Sequence, residues 1–293
     1  MKTQDLITPH QDLIEQRLQA IIPAINSPHS LLYEAARYSL LLPAKRIRPL
    51  LLLAVLEDFD CPLEWGIDPA CALEMVHTYS LIHDDLPCMD NDELRRGKPT
   101  LHKVYGEAEA VLAGDFLLTY AFDVLSQAPH LSSETKLRMI QLLSHRAGGE
   151  GMIGGQVIDI LHEGKSIDLD TLQLMFAKKT AALLATALEF GGLIAGLNSE
   201  DQTHLQKAGF ALGVGFQYID DLLDVTGDEN ELGKPVGSDQ SNQKASALTL
   251  YTEEEVQEKA NACFSEALAE LDLLSKPVPQ LLELFKKCFY RSK

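Results

Sequence analysis

Two groups of acidic residues, each closing an apolar stretch of helical periodicity, constrain this chain more than anything else in it. The first runs from Leu81 to Gly97 and sets five carboxylates and two arginines behind an apolar segment. Asp84, Asp85 and Asp90 concentrate negative charge that repels itself unless water or a cation neutralises it, and a hard divalent ion with oxygen ligands is the usual neutraliser. Arg95 and Arg96 add forked donors suited to phosphate oxygens. Taken by itself, the segment reads equally well as an acidic helix end running into a solvated loop. The second group breaks the tie, because Phe216 to Asp224 repeats the theme 136 positions later with Asp220, Asp221 and Asp224. Two acidic helix ends facing each other across a hollow can hold Mg²⁺ between them, with diphosphate oxygens and water completing each ion's shell.

The spacings carry geometry. Asp220 and Asp224 stand four apart, so on a helix they lie about 40° from each other and about 6 Å apart along the axis. Gln217 precedes Asp220 by three residues and points to nearly the same side. Asp84 and Asp90 are six apart, which turns them about 120° away from each other on an ideal helix. The helix that carries Asp84 is therefore expected to end or bulge near Pro87, which removes a backbone donor and crowds the preceding turn.

Around these groups apolar residues recur at three and four, and no train of alternating strands is present. The fold class is accordingly all-α. Helices are expected at about 10–25 and 30–42, from Arg48 or Pro49, and from an Asp68-Pro69 cap to Asp85. Others are expected at 107–127, 133–161, 168–197, 200–228, 252–274 and 278–290. No Pro/Ser-rich linker separates them, so residues 1–293 are expected to form one domain. A formal charge of −18 argues against nucleic acid or an anionic membrane as partner, yet admits an anionic substrate if cations bind first. Five cysteines, odd in number and without a Cys-x-x-Cys pair, suit reduced thiols. The first residues lack the apolar core of a secretory leader, and the strongest apolar run, Leu50 to Leu56, is far too short to span a membrane. The expected location is the cytoplasm.

Three smaller features bear on function. Lys45, Arg46 and Arg48 fall just before or at a helix start, where charge and dipole both favour an anion, although three cations in a surface loop are also commonplace. His77 stands two turns before Asp84 on roughly the same face, where a satisfied core histidine is the ordinary reading. Gly149-x-Gly151-x-x-Gly154 formally matches a dinucleotide fingerprint, but no strand precedes it and no strand–helix–strand unit follows. Glycine costs about 1 kcal/mol inside a helix, so five glycines between 148 and 155 imply close backbone approach or a kink.

Asp-Asp-Leu-Pro-Cys-Met-Asp-Asn-Asp-Glu-Leu-Arg-Arg-Gly and Phe-Gln-x-x-Asp-Asp-Leu-Leu-Asp together resemble the two aspartate-rich motifs of the trans-type polyprenyl diphosphate synthases, specifically the bacterial short-chain branch. Recognisable pieces extend from about Leu41 to Lys244. The resemblance implies a helical bundle of the isoprenoid-synthase type around a central cavity, assembled as a homodimer. It also implies condensation of isopentenyl diphosphate with dimethylallyl and geranyl diphosphate to give farnesyl diphosphate, with Mg²⁺ as cofactor and Mn²⁺ as a substitute. On this resemblance the metal ligands are Asp84, Asp85, Asp90, Asp220, Asp221 and Asp224. Asp84, Asp85, Asp90, Arg95, Lys179 and Asp220 carry the catalysis. Lys45, Arg48, His77 and Arg96 take isopentenyl diphosphate, while Arg95, Lys179, Thr180, Gln217 and Lys234 serve the allylic diphosphate. Gln156 and Asp159 border the cavity. Tyr79 and Ser80 set product length. Tyr79 lies five residues before Asp84, about 7.5 Å along the helix axis, where its ring would floor the tunnel for the growing tail.

Two departures from the family pattern stand out. Pro43-Ala44 replaces a usual pair of glycines, and Lys244-Ala245-Ser246-Ala247 departs from the usual Lys-x-Thr-Tyr-Pro, losing the aromatic and the proline. No side chain stands out as a general base, and in the family the departing diphosphate takes the proton. A terpene cyclase would not need Lys45, Arg48 and Arg96. A geranylgeranyl or longer-chain synthase is disfavoured by Tyr79 and by the length of the first motif. A non-catalytic helical partner would not need both acidic groups intact.

Overall fold

A computed structural model describes residues 8–226 and 244–290. Thirteen helices account for most of the described residues: α1 Thr8–Ile21, α2 Ser30–Leu40, α3 Ile47–Asp58, α4 Ile67–Asp84, α5 Leu101–Tyr105, α6 Glu107–Gln127, α7 Ser133–Ala147, α8 Met152–His162, α9 Leu169–Phe176, α10 Ala182–Ile194, α11 Ser199–Thr226, α12 Glu253–Asp272 and α13 Pro279–Phe289. The all-α expectation holds. The strands among the described residues are the two-residue pair Leu94–Arg95 and Lys98–Pro99, an antiparallel hairpin closed by Arg96 and Gly97. Both turn residues have positive φ, 54° and 73°, as a tight two-residue hairpin requires.

Helices α3 and α10 lie at the centre. Leu50 to Leu56 of α3 are all buried, and α10 buries every residue from Ala182 to Gly192. A helix that is apolar all round is a core helix, and α3 packs against α4, α10 and α13. Around this axis α4 packs on α6, and α11 lies between α10 and α12. The buried apolar side chains form a contiguous cluster from Ile14 of α1 to Phe289 of α13.

Glycine sets the closest approaches. A Cβ at Gly209 or Gly213 of α11 would meet the Cα of Ala185 at 2.5 Å or of Ala181 at 2.3 Å. These positions let α11 lie directly on the segment that carries Lys179 and Thr180.

Three boundaries differ from the sequence expectation for physical reasons. The single helix expected at 133–161 is two, α7 and α8, because a Cβ at Gly151 would fall 1.8 Å from the Arg146 carbonyl oxygen and the chain turns there. Asp68 does not cap α4. It sits in the first turn and accepts from Arg17 at 2.6 and 3.1 Å, while Gly66 is the capping residue. The helix expected at 168–197 holds a π-helical turn, Ala177–Ala181, between α9 and α10. Such turns occur often at functional sites, and this one bears Lys178, Lys179 and Thr180.

Candidate active site

A cavity of about 1120 Å³ opens among α4, α6, α8, α9, α11 and the segment before α3. Both acidic groups reach it: Asp84 and Asp90 from one side, Asp220, Asp221 and Asp224 from the other. The six-residue spacing of Asp84 and Asp90 is reconciled by the end of α4. The helix stops at Asp84, and the following loop folds back until the Asp90 N–H donates to the Asp84 carbonyl at 2.8 Å. Met89 and Asn91 both donate to Leu86 inside the same turn, and Asn91 takes a φ of 54°. Asp220 and Asp224 lie on one face of α11, as their spacing requires.

The aspartates fall into two environments. Burial pushes the Asp84 carboxyl up to about 6 and nearby Asp90 adds to the rise, against the opposing charge of Lys179. Asp90 faces Lys244, whose Nζ lies 2.7 Å from Oδ2. Asp85 is buried and does not line the large cavity. It borders a small neighbouring one of about 10 Å³ and accepts from Arg95, whose Nε lies at 2.9 Å. Burial raises Asp85 to about 6 as well, with Arg95 opposing. The Asp221 carboxylate accepts from the Gln217 amide at 3.1 Å and from the Ala247 N–H at 2.6 Å. Asp221 therefore ties α11 to the chain that follows Lys244.

Cations ring the same hollow in two sets. Lys179 pairs with Asp159, and the Thr180 hydroxyl donates to the Gln217 side-chain oxygen at 2.7 Å. Gly155 makes this possible, since a Cβ there would lie 2.3 Å from the Lys179 backbone nitrogen. Arg95 joins Asp85 and also Asp92, at 3.2 Å. The second set is Lys45, Arg48, His77 and Arg96, all on the cavity wall. The Arg48 Nε is buried without a hydrogen-bond partner, and burial lowers this guanidinium to about 10. His77 is held well below its ordinary value by burial first, then by Arg48, Arg96 and Arg95, so the ring is neutral at physiological pH. Both amide atoms of Gln156, another wall residue, are likewise buried without a hydrogen-bond partner in the structure. Lys234 lies outside the described residues.

Tyr79 is 4% exposed, lines the cavity and packs edge-on against His83 with ring centroids 5.8 Å apart. Ser80 is also on the wall and donates to the His77 carbonyl at 2.9 Å. Leu118, Val157, Met175 and Phe176 give the hollow an apolar stretch.

Sequence reasoning did not single out Glu74, the Asp159–Lys179 pair, the Asp90–Lys244 pair or the buried role of Arg46. Each depends on partners far away in the chain. The π-helical turn was equally hidden, since its residues keep helical periodicity.

The donor set fits Mg²⁺ in a particular way. Among the described residues no group of three or more His, Cys, Asp or Glu is arranged to hold a metal ion unaided. Mg²⁺ usually takes one or two carboxylates and fills its other positions with phosphate oxygens and water. Paired carboxylates on opposite walls, ringed by cations, therefore suit ions that arrive with a diphosphate.

Comparison with known proteins agrees with this geometry. The family model described as polyprenyl synthetase matches residues 29–284. The farnesyl diphosphate synthase of Bacillus subtilis (strain 168) is 42% identical over 97% of this chain and 96% of its own. The geranylgeranyl diphosphate synthase of Cyanophora paradoxa is 42% identical over 89% of this chain and 87% of its own. A geranyltransferase of Helicobacter pylori, solved in complex with magnesium and isoprenyl diphosphate, matches with a TM-score of 0.85 at 36% identity, covering 98% of this chain and 97% of that one.

Proposed function

The chain belongs to the polyprenyl synthetase family, and we propose that it condenses isopentenyl diphosphate with dimethylallyl and then geranyl diphosphate to give farnesyl diphosphate. The observation that carries this reading is the presence of both acidic groups, and both sets of cations, on the wall of one partly apolar cavity. Mg²⁺, for which Mn²⁺ can substitute, would be held by Asp84, Asp90, Asp220 and Asp224 and supplies positive charge to the leaving diphosphate. Asp85 and Asp221 brace that set, Asp85 through Arg95 and Asp221 through Gln217 and Ala247.

Arg95, Lys179, Thr180 and Gln217 orient the allylic diphosphate so that its carbon–oxygen bond breaks toward them, and Lys234, outside the described residues, is assigned to the same diphosphate. Lys45, Arg48, His77 and Arg96 hold isopentenyl diphosphate with its double bond facing the allylic carbon. As the new carbon–carbon bond forms, the isopentenyl carbon loses its proton to the departing diphosphate, which fits the observation that no side chain stands out as a general base. Water would quench the allylic cation, and the apolar wall of Leu118, Val157, Met175 and Phe176 keeps it out. Tyr79 and Ser80 limit the tail. Geranylgeranyl diphosphate is the second reading, favoured by the likeness to the Cyanophora paradoxa enzyme.

Residues 1–293 act as one domain in this reading, and the protein works in the cytoplasm as a homodimer. No helix among the described residues is long and apolar enough to cross a membrane, and exposed Val111 and Leu112 of α6 support an apolar contact surface. Asp84→Asn and Asp220→Asn should each lower kcat by about a hundredfold to a thousandfold at saturating Mg²⁺, the usual scale for losing one charge-stabilising element. Near-normal turnover in either variant would remove the metal assignment.

A further inference from the structure

Of the three cations around the start of α3, Arg46 takes no part in the substrate assignments above. It is 2% exposed, among the largest fully buried side chains, and takes a left-handed φ of 49° at the residue that caps α3. A bulky residue in that region is strained, at a cost on the order of 1 kcal/mol, and persists only where its surroundings fix it. They do so on every side. Nε donates to Glu15 at 2.7 Å, Nη1 to Glu74 at 2.8 Å, and Nη2 to the Leu40 and Leu42 carbonyls at 2.8 and 3.2 Å. Gln11 of α1 also donates to the Ala44 carbonyl, at 3.1 Å. The short segment that presents Lys45 and Arg48 is thus strapped to α1, α2 and α4 through one guanidinium.

We propose that Arg46, clamped between Glu15 and Glu74, is the positioning residue that fixes Lys45 and Arg48 as one cradle for the diphosphate of isopentenyl diphosphate. This rests on the assignment of Lys45 and Arg48 to that substrate. Lysine cannot replace the guanidinium, because one ammonium has no planar fork to span two carboxylates and two carbonyls. Glu74 sits one turn before His77 on α4 and lines the cavity, so the clamp also joins the two elements that carry this cradle. Burial and the neighbouring arginines weigh against charge on Arg48 and Arg96, and Glu74 is the largest influence opposing that on both.

The test is steady-state kinetics on Arg46→Lys, Glu15→Gln and Lys45→Ala, varying each substrate at saturation of the other and recording Tm for each variant. Arg46→Lys should raise KM for isopentenyl diphosphate by about tenfold, equivalent to ~1.4 kcal/mol, and leave KM for geranyl diphosphate within about twofold. Glu15 does not line the cavity, so Glu15→Gln should raise the same KM, by less, through Arg46 alone. An unchanged isopentenyl KM in a folded Arg46→Lys, or an equal rise for both substrates, overturns the proposal. If Arg46→Lys does not fold, Glu15→Gln decides by the same criterion. Lys45→Ala separates the two levels. If its isopentenyl KM is unchanged, the substrate assignment fails and the proposal with it. If that KM rises while those of Arg46→Lys and Glu15→Gln do not, only the clamp fails.

Discussion

His77 shows how a residue's chemistry is set by what surrounds it. Its ring is a plain core histidine by periodicity, yet it lies on the cavity wall and is kept neutral by burial and four arginines. Because the folded protein resists protonating it, the unfolded chain alone takes up a proton as pH falls through about 6.5. The stability held by the neutral ring is therefore present above that pH and lost below it. His77→Gln does not titrate, so between about pH 7.5 and 5.5 its Tm should gain ~2 °C on that of the wild type. Parallel Tm profiles would contradict this. Tyr79 makes a second prediction at the same scale. Tyr79→Ala removes a buried ring beside His83 and should yield products longer than farnesyl diphosphate on chromatography. An unchanged product would remove Tyr79 as the floor. The charged wall residues were legible in the sequence because charge at helix ends is conspicuous there. Arg46 and Glu74 were not, since the first bonds to a residue 31 positions before it and the second to one 28 positions before it.

Among the elements, the meeting of α8 with the π-helical turn leaves no room for added bulk. Gly155 lies against the Lys179 backbone with no room for a methyl group. Gly155→Ala must push the two apart, at about 1–3 kcal/mol for overpacking, and so loosen the Asp159–Lys179 pair. Tm should fall, and KM for geranyl diphosphate should rise while that for isopentenyl diphosphate stays unchanged. Wild-type values for both would show that the contact does not position Lys179. Helix existence was readable from periodicity, since α6 and α11 begin and end within a residue or two of expectation over the described span. Breaks were harder to place. The glycines at 148–155 announced close approach without saying that the chain would turn at Gly151, and the π-helical turn leaves no mark in an apolar pattern that continues through it.

For the whole molecule, the acidic groups matter because of what lies between them. The first has a commonplace reading as a solvated helix end. Asp84 and Asp220 lie 136 positions apart in sequence, yet the packing of α4, α8, α10 and α11 brings both groups to one cavity with cations on its rim. The most direct measurement is incubation of the purified protein with isopentenyl and geranyl diphosphate, with Mg²⁺ and after chelation, followed by product sizing. Farnesyl diphosphate formed with Mg²⁺ and lost on chelation is the predicted result; no carbon–carbon bond formation at saturating substrates and metal would contradict it.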